Sequence, residues 1–392
     1  MSNVLNLYDP LFYANEALIS LYKSLGMGGR VHRGYDPTPQ QKGSTIEINA
    51  PSTFTAQDAP SSSQDLAPAS VAIVLNKWKE VKFQLTDKEL TFTKEKIIAD
   101  HIDPAGYALA DAVDQELAKL WATVPWYFDW TNTPVVSDIT TAWAKMFANK
   151  VPMNPAMMHA MVDGTTYGSL MALSAFSQNQ GDGPTGIQTQ LTGQLGQRFG
   201  FNFYPNQNVQ AATSATIADV AGAINNGAGY AAGATSIAFD GVSANAAFKA
   251  GDIIQVTGHT QQYVFAADVT ADGTGAVAAA SIFGSPQVQN GGLEAAVVDN
   301  QVVTIVLSGT SGATKNQTLF HHRNAFALAS APLSELGAQL GAKIATVNDP
   351  VTGLSLRSRI FYIGDSSVVK VALDILFGVK ALNPNLALRG RS

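Results

Sequence analysis

The chain has 392 residues, 46% of them apolar and only 14% charged, with a net charge of −6 and no cysteine. That length exceeds one compact core and predicts two or three domains. The missing cysteines exclude disulfides, thiolate nucleophiles and cysteine-ligated zinc. The acidic balance argues against a sequence-specific DNA binder, which presents a basic face. Charge this sparse predicts a surface that is either polar and uncharged or largely covered by partners, and the spread of aromatic and aliphatic residues along the whole chain favours the second. Residues 1–11 lack a basic stretch followed by an apolar one, and no apolar run reaches membrane-span length, so neither a secretory leader nor a membrane partner is expected.

In chain order, Leu11, Ala14, Leu18, Leu21 and Leu25 have helical spacing, and Gly26 ends the helix. Residues 44–85 read as a long, thin β-ribbon: Ile46 and Ile48, Thr53–Thr55, then Val71, Ile73 and Leu75, a bend at Asn76–Lys79, and Val81, Phe83 and Leu85. The segment has no second layer of its own, and a two-stranded ribbon is marginal in water. The ribbon therefore needs something to lie on, and Trp78 and its apolar neighbours can be buried only against another element. Asp103 as N-cap, Pro104 in the first turn and Leu109, Val113, Leu117, Leu120 and Val124 predict a long helix that Pro125 stops.

Shorter helices are predicted over 137–149, 155–162, 164–175 and 185–196, with Asn154 and Asp163 as caps. A strand follows around Phe201 and Phe203. Trp143, Met146, Phe147, Met157, Met158 and Met161 are expected in the core at helical spacing. From 210 to 313 the composition turns to Ala, Gly, Thr and Val, with seven acidic residues and one basic, Lys249. This stretch carries the whole net charge of the chain. Short strands at 236–239, 252–257, 263–269, 277–283 and 302–307 lie between turn signals such as Asp240-Gly241 and Asp272-Gly273, which predicts a small inserted all-β barrel or sandwich. Residues 354–363 and 368–379 read as paired long strands, with Gly364-Asp365 near the bend.

Catalytic patterns are missing: the sequence has no HExxH, no GxSxG elbow and no Walker A motif. His321-His322-Arg323 reads as a polar turn or an interface histidine pair, and no cofactor or metal is expected. The basic group Lys77, Lys79, Lys82, Lys88, Lys94 and Lys96 is interleaved with Glu80, Asp87, Glu89 and Glu95, the pattern of a solvated or inter-subunit charged edge. Trp78, Lys77, Lys79, Glu80 and Phe54 are the candidate inter-subunit contacts.

Several stretches, in order, resemble the coat-protein family of short-tailed Salmonella-type phages, which has the Hong Kong 97-like capsid fold. They are Val31-His32-Arg33-Gly34-Tyr35 with Lys42–Ile46, Phe83–Leu90, Phe248–Ile253, Phe320–Ala329, Thr352–Arg357 and Asp374–Val379. The resemblance runs from about residue 25 to the C-terminus. It implies an α+β fold with an N-terminal arm at 1–43 and an extended loop at 44–85. The spine helix and peripheral domain would lie at 86–184, and the axial domain at 185–209 and 314–350. It further implies an insertion domain at 210–313 and C-terminal strands at 351–392. The insertion departs from the family in lacking mixed-sign loops that would clamp neighbouring capsomers.

By the same resemblance the function is that of a major capsid protein, non-enzymatic, in a virion assembled in the host cytoplasm. Its partners would be copies of itself in hexamers and pentamers, a scaffolding protein, a portal, a decoration protein and non-specifically held double-stranded DNA. The alternative within the fold is the shell protein of a cellular nanocompartment. An adhesive or carbohydrate-binding protein would explain only the β-rich insertion, and an enzyme lacks its motifs.

Overall fold

The computed structural model describes residues 9–33, 43–49, 58–59, 70–86, 98–177, 189–284, 292–307, 310–335, 342–348, 353–363 and 368–392. The chain divides into two compact units, Met1–Leu117 with Ala327–Lys380, and Ala118–Phe326 with Ala381–Ser392.

In the first unit, α1 (Pro10–Ser24) starts where the Asp9 carboxylate accepts from the Leu11 amide at 3.0 Å. Its apolar face, Tyr13, Ala14, Ala17, Leu18 and Leu21, is buried. The second helix, α2 (Asp103–Ala118), buries Leu109, Val113 and Leu117 as expected. A π-helical turn, Ile98–Ile102, leads into it, so Asp103 continues a helical path and does not cap a free end. Gly106 lets α2 approach α1: a Cβ there would lie 2.8 Å from Ser20 Cβ and 3.0 Å from the Ala17 carbonyl oxygen.

The sheet of this unit has five strands. Phe326–Ala331, Val368–Ala381, Ser355–Ile363 and Lys343–Asn348 follow in spatial order, and Lys77–Thr86 pairs with Val368–Ala381. The expected partnership of the two long C-terminal strands holds, with Arg357 opposite Asp374 and Ile363 opposite Val368. The bend between them lies outside the described residues. The first half of the ribbon also forms, as Thr45–Asn49 antiparallel to Ser70–Val74.

The second half of the ribbon requires a correction. Lys77–Thr86 lies antiparallel to Val368–Ala381 over ten residue pairs, from Thr86 opposite Val368 to Lys77 opposite Phe377. A support within the same chain therefore exists, some 290 residues away in sequence.

In the second unit a sheet runs in the order Tyr127–Asp129, Ala387–Arg391, Thr314–His322, Met158–Val162, Phe201–Pro205, Gly196–Arg198, with Ala211–Thr213 also on Thr314–His322. The helices α3 (Val136–Ala148), α4 (Gly164–Ala172) and α5 (Ser174–Ser177) belong to this unit. Asp163 caps α4 through the amides of Thr165 and Thr166, as expected. The core is aromatic: Phe320 meets Phe128, Phe201 and Phe203 edge to face at 5.4, 5.0 and 6.1 Å between centroids.

Two expectations fail here. Residues 155–162 are not a helix: Met158–Val162 is a strand buried along its whole length. Asn154 instead turns the chain, its side chain accepting from the Ala156 amide at 3.1 Å. Of the predicted helix at 185–196, only 189–192 are helical among the described residues, and Gly196–Arg198 is a strand.

The β-rich stretch closes into a six-stranded barrel in the order Ser236–Asp240, Val277–Phe283, Gln262–Phe265, Ile253–Val256, Val302–Val306, Ala221–Ile224. It has its own core, including Ile224, Phe239, Phe248, Tyr263, Phe265, Val303 and Ile305. Closure leaves no strand edge within the barrel wall.

Candidate functional site

Strand alternation gives Lys77–Thr86 two faces. Lys77 and Lys79 turn to α2, where Glu116 takes both ammonium groups at 2.9 and 3.7 Å, and Phe83 stacks on His101 at 5.8 Å. The opposite face carries Trp78, Glu80 and Lys82. The Trp78 indole N–H donates to Asp374 Oδ2 at 3.1 Å, and the Arg357 guanidinium lies 5.8 Å from its ring centroid.

Asp374 is fully buried. Arg357 grips it in a two-pronged contact at 3.0 and 2.6 Å, and Arg359 adds a third contact at 3.2 Å. Arg359 also pairs with Glu80, which takes Lys82 at 3.1 Å. Register explains the cluster: Arg357, Asp374 and Glu80 sit side by side on adjacent strands. A buried carboxylate is tolerable only with such partners.

Of the residues selected from sequence, Trp78, Lys77, Lys79 and Glu80 thus fall on one strand, and Phe54 lies outside the described residues, as do Lys88, Lys94 and Lys96. Trp78 keeps 45% of its surface exposed. Arg357, Arg359, Asp374 and Glu116 escaped the sequence reading as partners. Asp374 carried a signal, because a carboxylate inside the apolar strand 368–379 must find a cation.

His321 and His322 are not in a turn. Both are buried at the end of the strand Thr314–His322, with His321 opposite His159 and their rings 5.6 Å apart. The Tyr204 hydroxyl lies 3.4 Å from His321 Nε2. His322 Nδ1 accepts from the Asn324 amide at 3.2 Å, and burial holds its pKa below the ordinary value. Trp143 and Phe147 are not core either, being 38% and 62% exposed, whereas Met146 is buried. Met158 and Met161 are buried and Met157 is 38% exposed.

Among the described residues no group of three His, Asp or Glu is placed to hold a metal. A cavity of about 10 Å³, lined by Trp121, Asp252, Gln317 and Arg389 among others, has room for a water and not for a substrate. Burial, with Arg391 beside it, pulls Arg389 down to about 9. No described helix is long and apolar enough to cross a membrane.

No protein-family model matches the chain, and no curated protein matches it. Solved structures do. A chain from Mycobacterium phage Che8 is 11% identical, with 93% of this chain and 90% of that chain covered and a TM-score of 0.46. The capsid of Ralstonia phage GP4 gives 10% identity, 95% and 90% coverage and 0.44. A virus-like particle from Pyrococcus furiosus gives 8%, 96% and 97%, and 0.40. At such identities no site residue or partner passes from those proteins to this one.

Proposed function

We propose that this chain is the major capsid protein of a tailed bacteriophage, with the Hong Kong 97-like fold, which assembles into hexamers and pentamers of an icosahedral shell around double-stranded DNA. The observation that carries the reading is the ordered series of stretches from Val31 to Val379 that resembles the short-tailed Salmonella-type coat proteins. In this reading 1–43 is the N-terminal arm, 44–85 the extended loop, 86–184 the spine helix and peripheral domain, and 185–209 with 314–350 the axial domain. The barrel at 210–313 is the insertion domain, and 351–392 return to the core.

Trp78, Lys77, Lys79, Glu80 and Phe54 are the inter-subunit contacts of the loop. The half-exposed indole of Trp78 supports this, since its free surface is what a neighbour would cover. A scaffolding protein and portal take part in assembly, a decoration protein binds the finished shell, and the DNA is held without sequence preference.

Electron microscopy of the purified protein, alone and with a scaffolding protein, tests the reading. Closed shells with pentameric and hexameric clusters are expected. Persistent monomers under all such conditions would overturn it. Shells filled with host protein in place of DNA would favour the nanocompartment.

A further inference from the structure

The strands Thr314–His322 and Ala387–Arg391 pair with Gln317 opposite Arg391 and Leu319 opposite Arg389, so these four side chains share one face of the sheet. Phe320 and Leu388, on the other face, belong to the aromatic core. Ala212 joins the first face, because it lies opposite Lys315, two residues from Gln317. The barrel meets this face. The Arg391 guanidinium donates to the Leu307 carbonyl at 2.9 Å, and a Cβ on Gly251 would lie 2.5 Å from the Trp121 ring. All of these residues belong to the second unit.

Two buried polar atoms on that face have no partner within the chain. Gln317 is 1% exposed and Arg389 3%, and neither Gln317 Oε1 nor Arg389 Nε is hydrogen-bonded to another group of the protein. Turning the Gln317 amide over does not help, because its nitrogen already donates to the Lys315 carbonyl at 3.0 Å. The two groups are therefore one acceptor and one donor, and leaving either buried and unpaired is costly. Both residues line the cavity of about 10 Å³, together with Trp121, Ala212 and Asp252. Asp252 is buried as well, and its carboxylate accepts the Lys249 amide at 2.8 Å.

The lining selects the occupant. The space has room for one water and for no larger group. A cation would sit against the guanidinium of Arg389, and an anion against the Asp252 carboxylate and the Gln317 carbonyl oxygen. Arg391, the other base of the lining, is already gripped by Asp129 through two contacts of 2.7 Å. What the site requires is a neutral molecule that accepts from Nε and donates to Oε1 at once, and water does both at this size.

We propose that this cavity is a water-binding site. One ordered water accepts from Arg389 Nε, donates one hydrogen to Gln317 Oε1 and the other to the Asp252 carboxylate, and so ties the barrel to the sheet. Gln317 and Arg389 come from the sheet, and Asp252 from the turn just before the barrel strand Ile253–Val256, so the water is a joint between the two. It also turns a dipole toward a guanidinium whose charge burial opposes. The inference goes beyond the shell reading and holds whether or not the chain assembles.

The test is a structure of the full chain, as crystals or as particles, at a resolution that shows ordered solvent. One peak within about 3.2 Å of both Arg389 Nε and Gln317 Oε1 is expected. Density that shows the two side chains bonded to each other or to another group, with no peak between them, would overturn the proposal. So would an anomalous peak at the site after a bromide soak, which would make it an anion site. Ala212→Val probes the same point in solution, because valine suits a strand and its added methyl groups enter the cavity. Displacing a bonded water strands Arg389 and Gln317, so the melting temperature of the free chain should fall by roughly 2–4 °C or more. Filling a dry cavity would raise it, and that result would sink the water. The fall should shrink when Gln317→Leu has already removed the acceptor. An equal fall in both backgrounds would mean overpacking alone, and the proposal would be wrong.

Discussion

Single carboxylates hold the first unit together at two points. Asp114, on α2, accepts the backbone amides of Gly26, Met27 and Gly28 at 2.6, 3.2 and 2.8 Å, which fixes the chain as it leaves α1. Replacing it by alanine strands three donors in a buried place, and each unsatisfied donor costs about 1 kcal/mol or more. Asp114→Ala should therefore lower the stability of the free chain by about 3 kcal/mol, measured by urea unfolding. A change below about 1 kcal/mol would mean that water or relaxation replaces the carboxylate. Trp78→Ala removes a hydrogen bond to Asp374 and the ring beside Arg357. It should destabilise the free chain by about 1–2 kcal/mol even before any effect on assembly. Sequence alone predicts no effect on the monomer, because the segment 44–85 holds nothing for Trp78 to lie on. An unchanged melting temperature would restore that view and place the whole value of Trp78 between subunits.

Among the elements, the barrel has the clearest capacity to stand alone. Its core draws on residues from Ala215 to Ile305 and Leu307. A peptide of 210–313 should unfold in one cooperative thermal transition with β-type circular dichroism. A dispersed but non-cooperative melt, or a disordered NMR spectrum, would show that the rest of the chain is needed. The barrel was also the most legible element, since alternating strands between Asp-Gly turns declare both period and boundary. The strand Met158–Val162 was not legible. It is buried along its whole length, so its apolar run has no alternation, and Met157, Met158 and Met161 match helical spacing equally well. Helix α3 was placed correctly, but Trp143 and Phe147 lie around the helix from Ile139, Ala142 and Met146, where periodicity alone does not separate rim from core. The candidate contacts were found as residues and missed as a network. Their partners Arg357, Asp374 and Glu116 are brought to them by a strand pairing and a helix packing that no local pattern encodes.

At the scale of the whole molecule, charge and burial together set a pH dependence for the second unit. Burial depresses His322, whose Nδ1 already accepts the Asn324 amide and so cannot take a proton without losing that bond. Burial also depresses His259, whose Nδ1 is 2.7 Å from the Tyr263 hydroxyl, a hydroxyl that also accepts the Glu294 amide. For both histidines the native state binds fewer protons than the unfolded chain. Their stability contribution is present above the ordinary histidine value of 6.5 and is lost as pH falls through the depressed native value. Asp268, held down by the Lys249 side chain, and Asp272, held down by the Ala276 amide, act in the same sense at more acid pH. Asp252 opposes them: burial raises it, so its native form holds a proton more tightly, and its contribution runs the other way above the ordinary carboxylate value of 3.8. Both histidines lower stability as the pH falls from neutral. The melting temperature of the free chain should fall from pH 7.5 to pH 5.5, and His322→Gln should flatten the fall. A melting temperature that holds level or rises over that interval would show that the buried imidazoles find acceptors for a second proton.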